Sequence, residues 1–195
     1  MNEQNYPATL EADQEPAVPL PEIWVGSLED YTDGQRYGAW LDAGQRTPDI
    51  VAQIRAIVDR TPDALGKRWR VCDLRGFGGW QPAEHEGLRQ VLDVARGIAI
   101  HGQAYGALAA RLGADSNAVR LDNYPKSYIG GWPSLTDFVA TVARESGWYE
   151  QLDRLPTGVR PYVRFDLDAL AAAAQQELTV IDHPDGVWVY DPRLW

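Results

Sequence analysis

Two blocks of strand-period sequence flank a block that is helical throughout, and this limits the fold more than any other feature. In the first block Ile23, Val25 and Leu28, with Trp24, predict a strand over about 22–28. Asp33-Gly34 is a turn signal, and Tyr37 to Leu41 predict a returning strand that ends near Asp42. Thr47-Pro48-Asp49 predicts a helix start: a capping hydroxyl, a proline at the first helical position, an acid in the first turn. Ile50, Val51, Ile54, Ile57 and Val58 then form one apolar stripe at helical spacing, up to Thr61-Pro62. Trp69, Val71 and Leu74 predict a third strand. The expectation is ββαβ over about 21–75, a small sheet with one helix against it.

The middle block has no strand pattern. Leu88, Val91, Leu92, Ala95 and Ile98 predict a helix within Pro82 to Ile100, and Gly102 breaks it. A shorter helix is predicted from Gln103 to Leu112, closed by Gly113, and another opens at Asp115-Ser116 with Val119 and Leu121. The last block is mixed. Ser134, with Asp137 three residues later, resembles a capping box for a helix whose buried stripe is Leu135, Phe138, Val139 and Val142, closed near Gly147. Tyr162-Val163-Arg164-Phe165 predicts a strand, and Asp166 or Asp168 caps an Ala-rich helix through Leu178. LTVIDHPDGVWVYD predicts a hairpin, with Pro184 and Gly186 suited to a type I turn.

These blocks imply an α+β chain of three small units: residues 21–81, a helical unit over 82–124, and a mixed unit over 125–195. Units this small bury too little surface alone and need shared interfaces. Residues 1–20 hold Glu3, Glu11, Asp13 and Glu15 with several prolines and no Lys or Arg, which predicts a disordered acidic tail and no signal peptide. No apolar run reaches the roughly 18 residues needed to cross a bilayer. The one cysteine, Cys72, has no intrachain partner, which points to the cytosol. Of eight Trp and nine Tyr residues, most of Trp24, Trp40, Trp69 and Trp188 are expected in the core, with Tyr37.

Charge narrows the partners. The formal net charge is −10, from 28 acids against 18 Lys and Arg. Such a surface repels phosphate, so it argues against direct binding to nucleic acid or anionic lipid, and it permits basic protein partners. The distribution is uneven: residues 67–111 carry 7 basic residues and 4 acids, a net of +3. Residues 1–66 carry 12 acids and 4 arginines, a net of −8, and residues 144–195 carry 9 acids and 5 arginines, a net of −4.

No catalytic or cofactor pattern converges. In DLRGFGGW, Asp73 to Trp80, Gly76 and Gly78 begin a dinucleotide fingerprint, but its last position is Gln81. The stretch reads as a glycine-rich connection. His85, His101 and His183 lack ligand spacing, and no metal or cofactor is expected. His85 reads as part of a solvated helix start, and Asp182-His183-Pro184-Asp185 reads as a turn. An enzyme using carboxylates is the weakest of three functional readings.

Several motifs occur together in order. VGSL, Val25 to Leu28, precedes Tyr31, Gly34 and Gly38-x-Trp40-x-Asp42. Asp73-x-x-Gly76-Phe77 closes the first unit. Tyr128-x-Gly130, Ser134-x-x-Asp137-Phe138 and Glu145-x-Gly147 follow, then Phe165-Asp166 at a strand end and Gly186-Val187-Trp188-Val189-Tyr190. Over about 21–191 this pattern resembles the ArdA antirestriction family. The resemblance implies an elongated, three-unit, acidic homodimer without catalysis. Such a protein mimics DNA, occupies the DNA-binding groove of type I restriction–modification enzymes, and is carried by mobile elements.

Mimicry asks for carboxylates arrayed like phosphates, so that a groove lined with Lys and Arg meets the same field. At one charge per ~1.7 Å of duplex axis, a dimer's net charge matches about 34 Å and its carboxylates alone about 95 Å. The acids must therefore be segregated from the basic residues. As a set, the candidate mimics are Glu29, Asp30, Asp33, Asp59 and Asp63; then Glu84, Glu86 and Asp93; then Glu145, Glu150, Asp153, Glu177, Asp182 and Asp185. Asp49 and Asp168 join them, with helix capping as their simpler role. Each candidate has a solvated surface charge as its plain alternative. The second functional reading is an adaptor on the same fold that regulates another DNA-binding protein. The milder balance of residues 21–195, 24 acids against 18 basic residues or −6, favours it.

Overall fold

A computed structural model of the chain describes residues 20–27, 38–60, 69–82, 87–113 and 122–194. The fold is α+β. Strands β1 (Glu22–Ser27), β2 (Gly38–Asp42) and β3 (Trp69–Arg75) form one sheet in the order β2-β1-β3, both pairs antiparallel. Helix α1 (Thr47–Asp59) connects β2 and β3 in sequence, which is the expected ββαβ. The predicted Asp33-Gly34 turn, Leu28, Tyr37 and Thr61-Pro62 lie outside the described residues, as do residues 1–19 and the helix expected at Asp115-Ser116.

One face of this sheet is apolar because of a register irregularity. Trp24 lies opposite Asp73, while Val25 lies opposite Val71, so Cys72 is the extra residue of a bulge. The bulge puts Val71 and Leu74, three apart in sequence, on the same face. That face packs on Ile50, Ile54 and Ile57 of α1. The other face carries Trp24 and Trp40 edge to face at 5.6 Å, with the Arg75 guanidinium 3.9 Å above the Trp40 ring. Trp24 and Trp40 are thus half-buried and Trp69 is 41% exposed, against the expected core role, while Trp188, also half-buried, packs against the core as expected. Trp80, in the glycine-rich connection, is the tryptophan of the core, only 1% exposed.

That connection lies against the helices that follow. Helix α2 (Leu88–His101) and α3 (Gln103–Leu112) are separated by Gly102 alone, as expected, though α2 begins later than Pro82. A Cβ on Gly106 of α3 would sit 2.7 Å from the Phe77 carbonyl oxygen, and one on Gly78 would sit 2.8 Å from the Ala107 nitrogen. Gly78 also has a positive φ of 62°. The glycines therefore serve close backbone packing, in agreement with the structural reading of DLRGFGGW.

The last block contains α4 (Tyr124–Ser127), β4 (Tyr128–Trp132), α5 (Leu135–Glu145), α6 (Trp148–Asp153), α7 (Leu167–Glu177), β5 (Thr179–His183) and β6 (Gly186–Tyr190). The second sheet has the order β4-β6-β5. Alternate residues of β6 serve two cores. Val187 and Val189 pack with Phe138 and Val139 of α5, and with Leu170 and Ala171 of α7. Trp188 and Tyr190 turn to the other side, into a core shared with β1, α1, α2 and α3. The Tyr190 hydroxyl donates to the Ala104 carbonyl of α3 at 2.8 Å. One continuous core therefore runs across the sequence positions 81 and 124 where the units were divided.

Three local expectations change and one open alternative is decided. Thr47 is inside α1; the N-cap is Arg46, without a side-chain cap bond, and it pairs with Asp49 at 2.8 Å. Val142 of the α5 stripe is exposed and Ala143 is buried in its place. Tyr162-Val163-Arg164-Phe165 is not a strand: Arg160–Tyr162 is a 3-10 turn and the following residues are extended without a sheet partner. The second sheet has three strands, in the order β4-β6-β5, and this segment adds to neither of its edges. Asp166, not Asp168, caps α7, accepting from the Ala169 amide at 3.0 Å. The Ser134 cap of α5 is as expected: its hydroxyl accepts from the Asp137 amide at 3.1 Å and donates to the Asp137 carboxylate at 2.6 Å.

Candidate functional site: the acidic surface

Glu29, Asp30, Asp33, Asp63, Glu84 and Glu86, with His85, lie outside the described residues. The other eight candidates divide by what surrounds them. Asp93 in α2 is half-buried and flanked by two arginines, Arg96 at 2.8 Å and Arg89 at 3.7 Å. Arg96 also donates to the Thr47 hydroxyl, so this group ties α2 to the start of α1. Asp153 is held by Arg160 across a turn at 2.5 Å. Both carboxylates are locally neutralised and present a weaker field than a bare acid.

Asp59, Glu145, Glu150, Glu177, Asp182 and Asp185 are exposed and form no ion pair with a described residue. Three of these positions run against what the fold prefers, whereas Glu150 lies in the first turn of α6, where an acid is favourable. Asp59, Glu145 and Glu177 are each the last residue of a helix, and Asp153 is the last of α6. A helix C-terminus carries partial negative charge, so an acid there costs about 0.3–1 kcal/mol. α7 has no basic residue in the last turn to offset it, while at α1 Arg60, the C-cap, does so by donating its side chain to the Ala56 carbonyl at 3.0 Å. Asp168, by contrast, lies in the first turn of α7, where an acid is favourable, and Asp49 does the same in α1. These two have a sufficient role in the fold.

Asp182 lies on β5, an edge strand, where a charge also discourages pairing with another chain. Asp185 is in the β5–β6 turn, and its amide donates to His183 Nδ1 at 3.3 Å. His183 stacks on Trp188 with ring centroids 4.2 Å apart. Asp182, His183 and Asp185 are thus parts of a hairpin and its turn, as expected. Among the described residues, no group of His, Cys, Asp and Glu has the arrangement to hold a metal ion. No described helix is long and apolar enough to cross a membrane.

The strongly shifted groups belong to packing. Burial raises the hydroxyls of Tyr124 and Tyr190 far above the ordinary tyrosine range, and that of Tyr128 in the same direction. Burial, then Asp122 and Asp93, pushes Tyr105 up to about 12. Together with His101 these rings form one aromatic cluster, with Tyr124 and Tyr128 stacked at 5.1 Å and Tyr105 and Tyr124 at 5.2 Å. Asp191 is lowered to about 2 by hydrogen bonds from the Arg193 side chain and backbone.

Comparison with protein families matches residues 23–188 to the model described as antirestriction protein (ArdA). None of the curated proteins compared with the chain matches it.

Proposed function

The chain belongs to the ArdA family of antirestriction proteins, and we propose that it inhibits type I restriction–modification enzymes stoichiometrically, as a DNA mimic in their DNA-binding groove. The family match, which spans most of the chain, carries this reading. The exposed acids support it. Charges at the C-terminal ends of α1, α5 and α7 oppose the helix dipoles, so the fold gains nothing from their sign. A partner groove rich in Lys and Arg does gain from it.

In this reading the mimic set is led by Asp59, Glu145, Glu150, Glu177, Asp182 and Asp185, with Glu29, Asp30, Asp33, Asp63, Glu84 and Glu86 extending it. Asp93 and Asp153 contribute less, because arginines already satisfy them. The protein acts in the cytosol, as a homodimer of elongated three-unit chains, without catalysis, cofactor, membrane or direct nucleic-acid contact. The test is competition. Adding duplex DNA to the inhibited enzyme should relieve inhibition in proportion to its concentration. Inhibition that excess duplex leaves unchanged places the protein outside the groove and ends the mimic reading.

The adaptor reading is favoured by one observation, the modest −6 of residues 21–195. Pull-down from host extract separates the two: a restriction–modification enzyme supports mimicry, and a nucleoid or transcription protein supports the adaptor.

A further inference from the structure

The segment 154–164, RLPTGVRPYVR, has the opposite character to the acidic last block that contains it. It holds Arg154, Arg160 and Arg164 and no acid, in a chain of net charge −10. It also displays apolar side chains: Tyr162 is 85% exposed, Val159 46% and Val163 41%. Arg154 and Arg164 form no ion pair with a described residue.

The segment is held in shape. Its base is fixed by Phe165, whose ring lies 5.3 Å from Tyr149 and 5.7 Å from Trp148 of α6. The Arg160–Asp153 ion pair closes it. The Val159 and Arg160 amides both donate to the Pro156 carbonyl, at 2.8 and 3.0 Å, and Pro161 restricts the 3-10 turn further. A preformed loop loses little conformational freedom on binding. Tyr and Arg are also the side chains that dominate the centres of protein interfaces.

We infer that Tyr162, Val159 and Val163, flanked by Arg154 and Arg164, form a second contact surface that docks into an apolar recess bordered by carboxylates on the partner enzyme, outside its DNA path. This rests on the proposed inhibition of a restriction–modification enzyme. A basic DNA groove repels Arg154 and Arg164, so charge complementarity assigns them to an acidic part of the partner. The surface supplies what mimicry lacks. An array of carboxylates attracts any phosphate-binding groove, whereas an apolar anchor selects one partner and is insensitive to salt. Duplex DNA is the less favoured occupant, because Glu150, Asp153, Asp166 and Asp168 surround the segment in sequence and Asp153 already neutralises Arg160.

The test compares the unmodified chain with a Tyr162→Ala, Val163→Ser double variant and with Glu177→Gln, titrated against a type I restriction–modification enzyme over a salt series. The double variant should lose about 10-fold or more in apparent affinity at every salt concentration, with the salt slope unchanged. Glu177→Gln should lower the slope instead. Inhibition by the double variant equal to that of the unmodified chain overturns the second surface while leaving mimicry standing. No inhibition by the unmodified chain overturns the reading on which both rest. Binding of labelled duplex that Tyr162→Ala abolishes also overturns the inference, in favour of a nucleic-acid contact. Val159→Ser serves as an independent variant, and matching melting temperatures show that exposed positions alone were altered.

Discussion

Two tyrosines in the same aromatic cluster should respond in opposite ways to the same substitution. Tyr190 donates its hydroxyl to the Ala104 carbonyl, so Tyr190→Phe removes a buried hydrogen bond and should cost about 0.5–1.5 kcal/mol. The Tyr124 hydroxyl is buried and has no hydrogen-bond partner among the described residues. Tyr124→Phe should therefore be neutral or stabilising. Denaturant unfolding of the two variants checks both signs. Ser134→Ala should cost about 1 kcal/mol through loss of the α5 cap, read the same way. That cap was legible in the sequence because Ser134 and Asp137 are near neighbours. The role of Trp80 was not, because it follows a run of glycines with no period to place it, and its burial comes from helices later in the chain.

At the scale of elements, what could be read depended on whether the cause was local. Gly102 and Gly113 bracket α3 on both sides, and the helix has the expected ends. The predicted strand at Tyr162–Phe165 had the right alternation, but a strand needs a neighbour, and the 3-10 turn at Arg160–Tyr162 leads into a segment that pairs with neither edge of the sheet. Of the acids, the positions were legible and the partners were not: Asp153 meets Arg160 only because the turn after α6 brings them together. Helix ends also give a prediction. Glu177→Gln removes an acid from the C-terminus of α7, so it should stabilise the fold by about 0.3–1 kcal/mol at low salt. The same change should weaken inhibition. Loss of both stability and inhibition would indicate a structural role for this carboxylate.

The tyrosine cluster joins elements of the second and third blocks and sets an alkaline limit. Tyr105, Tyr124, Tyr128 and Tyr190 each hold their proton more tightly folded than the ordinary value of 10.0. Below that value both states are protonated and the cluster adds no pH dependence. Above it the unfolded chain ionises first, so stability falls as pH rises, by up to ~1.4 kcal/mol per tyrosine per pH unit. The share of tyrosinate absorbance that belongs to these four residues should therefore appear together with loss of helical circular dichroism. Ionisation of all nine tyrosines without unfolding would contradict the buried cluster.

For the whole molecule the central question is whether its charge acts as a phosphate array. A net of −10 is small beside the charge of the duplex it would replace, so the arrangement of the acids matters more than their number. The fold contributes to that arrangement. It leaves several carboxylates exposed without ion pairs at helix ends and turns, and gives others arginine partners. The most direct measurement is titration of a type I restriction–modification enzyme with the unmodified chain at rising ionic strength. The account predicts stoichiometric inhibition at low salt, with apparent affinity falling about 10-fold or more between ~50 and ~200 mM. Absence of inhibition at the lowest salt, where a mimic of phosphate binds most tightly, would contradict it.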